Sequence, residues 1–409
     1  MIQGLCMKFI HVILIFLSLR TSMSFEIHIA PMQGYTDMHM RYFIRLILPT
    51  ATLWTEMLKP KELFHASSYQ KSSLLTRGLE KEFDQPCVLQ FGSDSHEDLY
   101  NAVRLAQPYG YKRYDLNCGC PSTELNAPFG ASLMKKPVEV SYLLHRMSEA
   151  VSHEVPVSVK CRIGVHDSYC SMNDDKYDNL FEFCYEVTKS GLVKDICIHA
   201  RSAVLQGLSP SKNREIPPLR KDFVMRIAKD FPHVRVVYNG GISSNEALNE
   251  LKASDDLAGC MIGRWALRSP FHLMFNESNC LLKRKTVIDT YSKYAESMFC
   301  TLNRNEFSPV LLPMALLAYS LEREAVESNG EDEINICYET SWYLMDKIVS
   351  LVDLLMVDSN KLDLHLSFGS SAKVLSSVPP YKKFRKFLGD LCGKKIIAKM
   401  KVNCNEKYE

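Results

Sequence analysis

A (β/α)8 barrel of the TIM type, followed by a C-terminal α-helical domain, is the α/β fold that this sequence predicts. Three observations predict it. From Glu26 onward, short β-rich runs alternate in strict order with stretches of helical periodicity, eight times within about 240 residues, a spacing that suits a closed barrel better than an open sheet. Most of the runs are continuously apolar, as expected of strands covered on both faces. After Pro270 the texture changes to helical periodicity with no clear strand.

Each element follows from its local pattern. Strands are expected at 27–31, 53–57, 87–91, 113–117, 157–160, 195–199, 234–239 and 259–262, rich in β-branched and aromatic residues. Helical periodicity occupies 37–46, 97–106, 138–152 and 223–230, and a further helix is expected to start at Ser243 or Ser244. The link between 53–57 and 87–91 carries no clear pattern. Beyond the barrel, 287–300, 309–323, 341–356 and 382–391 read as helices, and the acidic run 322–333 with Asn329-Gly330 reads as a solvated loop. The expected organisation is a leader (1–25), a barrel (26–270), a helical domain (271–393) and a basic tail (394–409).

Composition bounds the function. The 409 residues are 46% hydrophobic, enough for one large domain and a smaller one. A formal net charge of +2 excludes a bulk polycation, so any nucleic-acid surface must come from local clustering. The 14 cysteines have no regular spacing and read as reduced thiols. No paired CxxC at zinc spacing occurs and no metal is expected; Cys118 and Cys120 form an isolated CxC. Lys8 precedes an apolar run at 9–19, about half a membrane-spanning length, followed by Arg20 and small residues. This reads either as a signal-like segment, with import into an organelle reached through the secretory route, or as an upstream extension before Met7 or Met23 on a cytosolic protein. No later segment looks transmembrane.

In such a barrel, chemistry sits where strands end. Gln90, Asn117, Lys160, His199, Asn239 and Arg264 stand at or just past expected strand ends. Each alone reads as a cap or surface group; six at one edge read as a site. Asn239-Gly240-Gly241 and Gly263-Arg264 follow the seventh and eighth strands, the usual phosphate position, with two glycine-requiring tight turns as the alternative. Lys160 ends an apolar strand, where a cation would stabilise negative charge on a ring bound at the mouth, and Gln90 would hydrogen-bond the same edge. Asp115-Leu116-Asn117-Cys118-Gly119-Cys120-Pro121 presents Cys120 on a Gly- and Pro-bounded loop. A thiol is a competent general acid, but on the motif alone a small buried hydrophobe is the better reading of Cys120.

Seven motifs occur here in one order: Ala30-Pro31-Met32, Gln90-Phe91-Gly92, Asn117 to Pro121, Lys160-Cys161-Arg162, His199-Ala200-Arg201, Asn239-Gly240-Gly241 and Gly263-Arg264. The chain over 26–270 resembles the tRNA-dihydrouridine synthases. His199-Ala200-Arg201, then Leu205 to Pro210, then Asn213 to Leu219 resemble the A-type branch of that family. The resemblance implies an FMN-dependent enzyme, reduced by NADPH, that reduces the C5–C6 double bond of tRNA uridines, at D-loop positions 20 and 20a for the A-type branch. It implies that Pro31, Met32 and Gln33 contact FMN largely through the main chain and that Gln90, Lys160 and His199 hold its ring system. Asn239, Gly240, Gly241, Gly263 and Arg264 would bind ribityl and phosphate. Cys120 would donate the proton to C5 after hydride reaches C6, Asn117 would lie close to the uridine, and Ser211 and Arg214 would contact tRNA.

Departures accompany the resemblance. Gln33 stands where an apolar residue is common, Ser211 replaces a lysine position with Lys212 beside it, and Ala127-Pro128 interrupts a loop that usually carries Asn-Gly. The helical region is longer than expected, and an insertion with Tyr169, Cys170 and Met172 follows the fifth strand. Two basic clusters supply expected tRNA contacts: Arg201, Lys212, Arg214, Arg220 and Lys221 near the barrel loops, and Lys382, Lys383, Arg385 and Lys386 with Tyr381 and Phe384 interleaved. A monomer without stable membrane association is expected. The competing readings are an FMN barrel oxidoreductase acting on a small molecule, as dihydroorotate dehydrogenases do, and a non-catalytic flavin- or RNA-binding relic.

Overall fold

Ten strands and nine α-helices organise the described residues of the chain, a computed structural model. The structure describes residues 24–67, 74–75, 85–121, 129–151, 155–169, 175–274 and 281–301, and scattered helical positions between 310 and 351. The strands are β1 (Glu26–Ile29), β2 (Leu53–Trp54), β3 (Cys87–Phe91), β4 (Arg113–Cys118), β5 (Val157–Arg162), β6 (Val165–Ser168), β7 (Val193–His199), β8 (Ala203–Gln206), β9 (Arg235–Asn239) and β10 (Gly259–Ile262). The helices are α1 (Met38–Ile47), α2 (Pro60–His65), α3 (His96–Ala106), α4 (Pro137–Ala150), α5 (Tyr177–Thr188), α6 (Lys221–Asp230), α7 (Asn245–Lys252), α8 (Arg264–Arg268) and α9 (Leu281–Thr301). These elements belong to two compact units. The first holds the described residues of 1–30, 51–71 and 85–262; the second holds those of 31–50, 72–84 and 263–409.

The first unit is an eight-stranded all-parallel sheet in the order β1-β10-β9-β7-β5-β4-β3-β2. It closes on itself: Ile29 N donates to Thr52 O (3.0 Å) and Thr52 N to Ile27 O (2.9 Å) across the β1–β2 seam. Closure removes both edges of this sheet, so among the described residues none of its eight strands ends it as an open edge. Outward-facing Leu116, Val159, Cys161, Ile196, Ile198 and Val236 are fully buried, as the helical layer over the strands requires. In α3, Ser95 caps the first turn by accepting from Asp98 N, and Leu99, Ala102, Val103 and Ala106 form the buried stripe at helical spacing. Pro137 opens α4, where its missing N–H costs nothing.

The expected eight-strand order is present, with three local differences. The second strand is two residues long. Thr55 N and Leu58 N both return to β3, at Val88 O (3.0 Å) and Gln90 O (2.9 Å), so three steps on one chain oppose two on the other and the ladder bulges. Strand β5 runs two residues past its expected end and β7 starts two residues before its expected start. The loops that follow β5 and β7 pair as a separate parallel ribbon, β6–β8, which sequence pattern did not announce. The reason is that β6, Val165-His166-Asp167-Ser168, is short, polar and half exposed, and carries neither an apolar run nor an alternation.

The second unit has its own core. Asp37 caps α1 by accepting from Met40 N (2.9 Å), and Phe43 and Ile44 are buried behind it. Tyr291 of α9 is fully buried, meets Phe43 edge-on at 5.3 Å and donates its hydroxyl to Val310 O (2.7 Å). Tyr42 lies 4.3 Å from Tyr294, ring to ring. The leader 1–23, the basic residues Lys382, Lys383 and Arg385, Ala127-Pro128, and Cys170 and Met172 lie outside the described residues.

Candidate active site

Period-two alternation along parallel strands puts one residue type inside the barrel at each level. Register aligns Gln90 with Asp115, Asp115 with Ser158, Asn117 with Lys160, Arg162 with His199, and His199 with Asn239. These side chains share the inside of the barrel toward its C-terminal end. That is the edge where Gln90, Asn117, Lys160, His199 and Asn239 were expected together.

They are joined by directional hydrogen bonds. Ser158 Oγ donates to Asp115 Oδ1 (2.7 Å) and Gln90 Nε2 to Asp115 Oδ2 (2.8 Å). Asn117 Nδ2 donates to Gln90 Oε1 (2.8 Å), and Asn117 Oδ1 accepts from the main-chain N–H of Gly119 (3.0 Å) and of Cys120 (2.9 Å). Cys120 O accepts from Ala131 N (2.8 Å), so the loop is held from both sides of its cysteine. Gly130, at φ +80°, fits under that carbonyl because a Cβ there would lie 2.5 Å from Cys120 O. Burial pushes the Asp115 carboxyl up to about 7, against the hydrogen bonds from Gln90 and Ser158 and the charges of Lys160 and Arg113.

Cys120 is partly accessible, whereas the other described cysteines are buried. Burial raises its thiol above the ordinary range, opposed by the charges of Arg162, Arg214, Lys160 and Lys59. The thiol therefore stays protonated at neutral pH, the form a proton donor needs. Lys160, half-buried, donates to Asn239 Oδ1 (3.2 Å), and Asn239 Nδ2 donates to Met261 O (2.8 Å). Lys160 is thus bound at the mouth and does not snorkel to solvent. Burial drives the His199 imidazole far below its usual value, and Arg162, Lys160, Arg201 and Arg214 push the same way, so the ring is neutral. Gly240 (φ +113°) and Gly241 (φ +69°) are both left-handed, and a Cβ on Gly240 would meet His199 Cδ2 at 2.7 Å. Gly240 brings bare main chain close to the imidazole, and Gly241 packs its own against Leu219, where a Cβ would lie 2.5 Å from Cδ2.

Arg162, two residues past Lys160 on the same face, stands in the motif Lys160-Cys161-Arg162 but carries no role from sequence. It is buried and spans three loops: Nε donates to Gly119 O (3.0 Å), and Nη1 to Ser202 O (3.1 Å) and Asn213 O (2.9 Å). Burial lowers it to about 9, which still leaves it charged at neutral pH. Asn213, fully buried, fastens the loop of Arg214 to β8 by accepting from Val204 N (2.8 Å) and donating to Val204 O (2.9 Å). Ser211, Lys212 and Arg214 are exposed on this loop. Of the five cations expected to face nucleic acid here, two are locally neutralised: Arg220 pairs with Asp222 (2.7 Å) and Lys221 with Glu250 (3.1 Å). Arg201 donates to the carbonyls of Glu215 and Pro217.

The remaining expected site residues belong to the second unit. Met32 lies in a turn in which its N–H donates to Thr36 Oγ1 (2.9 Å) and its carbonyl accepts from Tyr35 N (2.9 Å) and Thr36 N (3.0 Å); Pro31 and Gln33 flank it. Arg264 opens the short α8, capped by Gly263.

Comparison with known proteins identifies a family. The family model described as dihydrouridine synthase (Dus) matches residues 28–315. The tRNA-dihydrouridine(20/20a) synthase of Xylella fastidiosa (strain 9a5c) is 39% identical over 266 residues, 64% of this chain and 73% of that protein. Proteins of the same description from Vibrio vulnificus (strain CMCP6) and Synechocystis sp. (strain ATCC 27184 / PCC 6803 / Kazusa) are 37% and 35% identical, covering 67% and 66% of this chain and 81% and 77% of their own.

Proposed function

This chain belongs to the dihydrouridine synthase family of flavin-dependent oxidoreductases, and from that premise we propose that it reduces the C5–C6 double bond of uridines 20 and 20a in the D-loop of tRNA. The observation that carries the reading is Cys120. It is a protonated, partly accessible thiol whose loop is pinned by Asn117 and Ala131 at the same barrel end as Gln90, Lys160, His199, Asn239 and the left-handed Gly240-Gly241.

The residues fit a flavin mononucleotide. Lys160 supplies a fixed cation, Gln90 an amide and His199 a neutral imidazole for a ring system; Asn239, Gly240 and Gly241 offer amide groups to an anionic tail. By resemblance, the phosphate role extends to Gly263 and Arg264, and the ring role to Pro31, Met32 and Gln33. When bound and reduced by NADPH, FMN would supply hydride to C6 of the uridine. The base must leave its stack to be reached, and Asn117 then orients it beside Cys120. Cys120 gives its proton to C5, quenching the negative charge that hydride addition leaves on the pyrimidine. The cations of Arg162, Arg214, Lys160 and Lys59 around Cys120 stabilise the thiolate that remains. On the barrel side, Arg214 with Ser211 and Lys212 contacts the tRNA backbone; the helical region, with Lys382, Lys383 and Arg385, contributes a second contact. The protein acts as a monomer.

The test is direct. Purified protein should be yellow, bleach with NADPH and raise the dihydrouridine content of unmodified tRNA at positions 20 and 20a. Turnover of free pyrimidines with unchanged tRNA would assign it to small-molecule chemistry, and flavin binding without either turnover would make it a relic.

A further inference from the structure

We propose that Asp115 is a positioning residue for the reaction: by accepting from Gln90 it terminates a hydrogen-bond chain, Asp115–Gln90–Asn117, that fixes the loop bearing Cys120. The inference rests on Cys120 being the proton donor.

The argument is one of donors and acceptors. At one end of the chain two main-chain N–H groups, of Gly119 and Cys120, both point at Asn117 Oδ1. That forces the Asn117 amine toward Gln90, whose carbonyl oxygen must face it. The Gln90 amine is then left pointing into the barrel, where it is buried and needs an acceptor. Asp115 supplies it, with Ser158 Oγ occupying the other carboxyl oxygen. Every side-chain amide in the chain has one satisfied sense, and that sense is set jointly by the Cys120 loop and the Asp115 acceptor. Without an acceptor at 115, the Gln90 amide turns to find one, Asn117 loses its partner, and the two N–H groups of the loop lose theirs. Asp115 touches neither Cys120 nor the mouth; it acts through two intervening amides.

The test uses the purified flavin-loaded enzyme and the rate at which iodoacetamide alkylates Cys120, followed by peptide mass mapping. Asp115→Leu removes the acceptor, and alkylation should accelerate about tenfold as the loop opens, the factor expected for one lost buried hydrogen bond. Asp115→Asn retains the acceptor: its Oδ1 faces Gln90 while its amine turns to Ser158 Oγ, which accepts in place of donating. This conservative variant should restore a rate within about twofold of the unaltered protein, a difference well below one hydrogen bond. A purely space-filling role would predict that Leu and Asn behave alike. An Asp115→Leu rate within twofold of the unaltered protein, or an Asp115→Asn rate as fast as Asp115→Leu, overturns the proposal. If Asp115→Leu does not accumulate folded, Asp115→Ala removes the same acceptor without adding bulk and is held to the same two outcomes. Alkylation requires no tRNA turnover, so failure here leaves the role of Cys120 to its own assay.

Discussion

The two ends of one barrel use charge in opposite ways. At the N-terminal end, Arg235 bonds Asp195 (2.9 Å) and Glu26, Arg113 bonds Asp195 (3.2 Å), and Glu26 bonds His28 (3.0 Å). Each charge has an opposite neighbour. Burial pushes the Glu26 carboxyl up, but His28, Arg235 and Arg113 together hold it down at about 2. At the C-terminal end, Cys120 and His199 sit in the field of Lys160, Arg162 and Arg214. Like-signed charges gathered at one barrel end repel one another, and an arriving anion relieves that repulsion. The lower end is therefore a network of opposite charges, and the upper end is the one proposed to bind.

Substitutions at the two ends should separate activity from stability. The largest effect is expected from Cys120→Ala: dihydrouridine formation, measured by nucleoside analysis of tRNA, falls about a thousandfold, while flavin content and bleaching by NADPH stay as they were. Next comes Arg235→Met at the opposite end, which lowers the unfolding free energy in urea by about 2 kcal/mol, below the range for fully buried pairs because this arginine is partly exposed. Its pH dependence has a defined sign. The Glu26 carboxyl is depressed in the folded protein, so its contribution is complete above 4.5 and is lost as pH falls toward 2. The variant should consequently lose less stability than the parent between about pH 5 and about pH 3, the upper part of that window. Tryptophan fluorescence melts at both pH values read this out, and equal losses would deny the ion network its role.

Smaller changes belong to the upper end. Gly240→Ala forces a side chain onto His199 in a left-handed backbone, and fluorescence titration should show flavin affinity weakened about tenfold, with the fold retained. The smallest effect is expected of Arg214→Glu: tRNA affinity falls several-fold, the slope of its logarithm against salt drops by about one, and flavin stays bound. Salt-insensitive tRNA binding would count against a backbone contact on this loop.

Much of this contrast was visible in the primary structure, and some was not. Strand ends were legible because an apolar run that stops at Gln90, Asn117, Lys160, His199 or Asn239 is a local signal. The glycine pair 240–241 was legible for the same reason. Arg162 stands in the motif Lys160-Cys161-Arg162, but its role was not legible because its three partners, Gly119, Ser202 and Asn213, lie 43, 40 and 51 residues away. The ribbon β6–β8 escaped because β6 is short and polar and the two strands acquire a partner only when the loops after β5 and β7 meet. Arg220 and Lys221 looked like part of a basic face in sequence; Lys221 meets Glu250 29 residues later, and the Asp222 beside Arg220 was overlooked.

Taken alone, the amino-acid order determined the barrel, its strand sequence, the loop that presents Cys120 and the family to which the chain belongs, because apolar runs, period-two alternation and short motifs are properties of neighbours along the chain. Only the tertiary structure decided which polar groups meet inside the barrel. Asp115, Gln90 and Asn117 come from two strands, Ser158 from a third, and their pairing depends on register. Register is a property of how whole strands pack, and hydrogen bonds between distant residues are specified by that packing rather than by any local pattern.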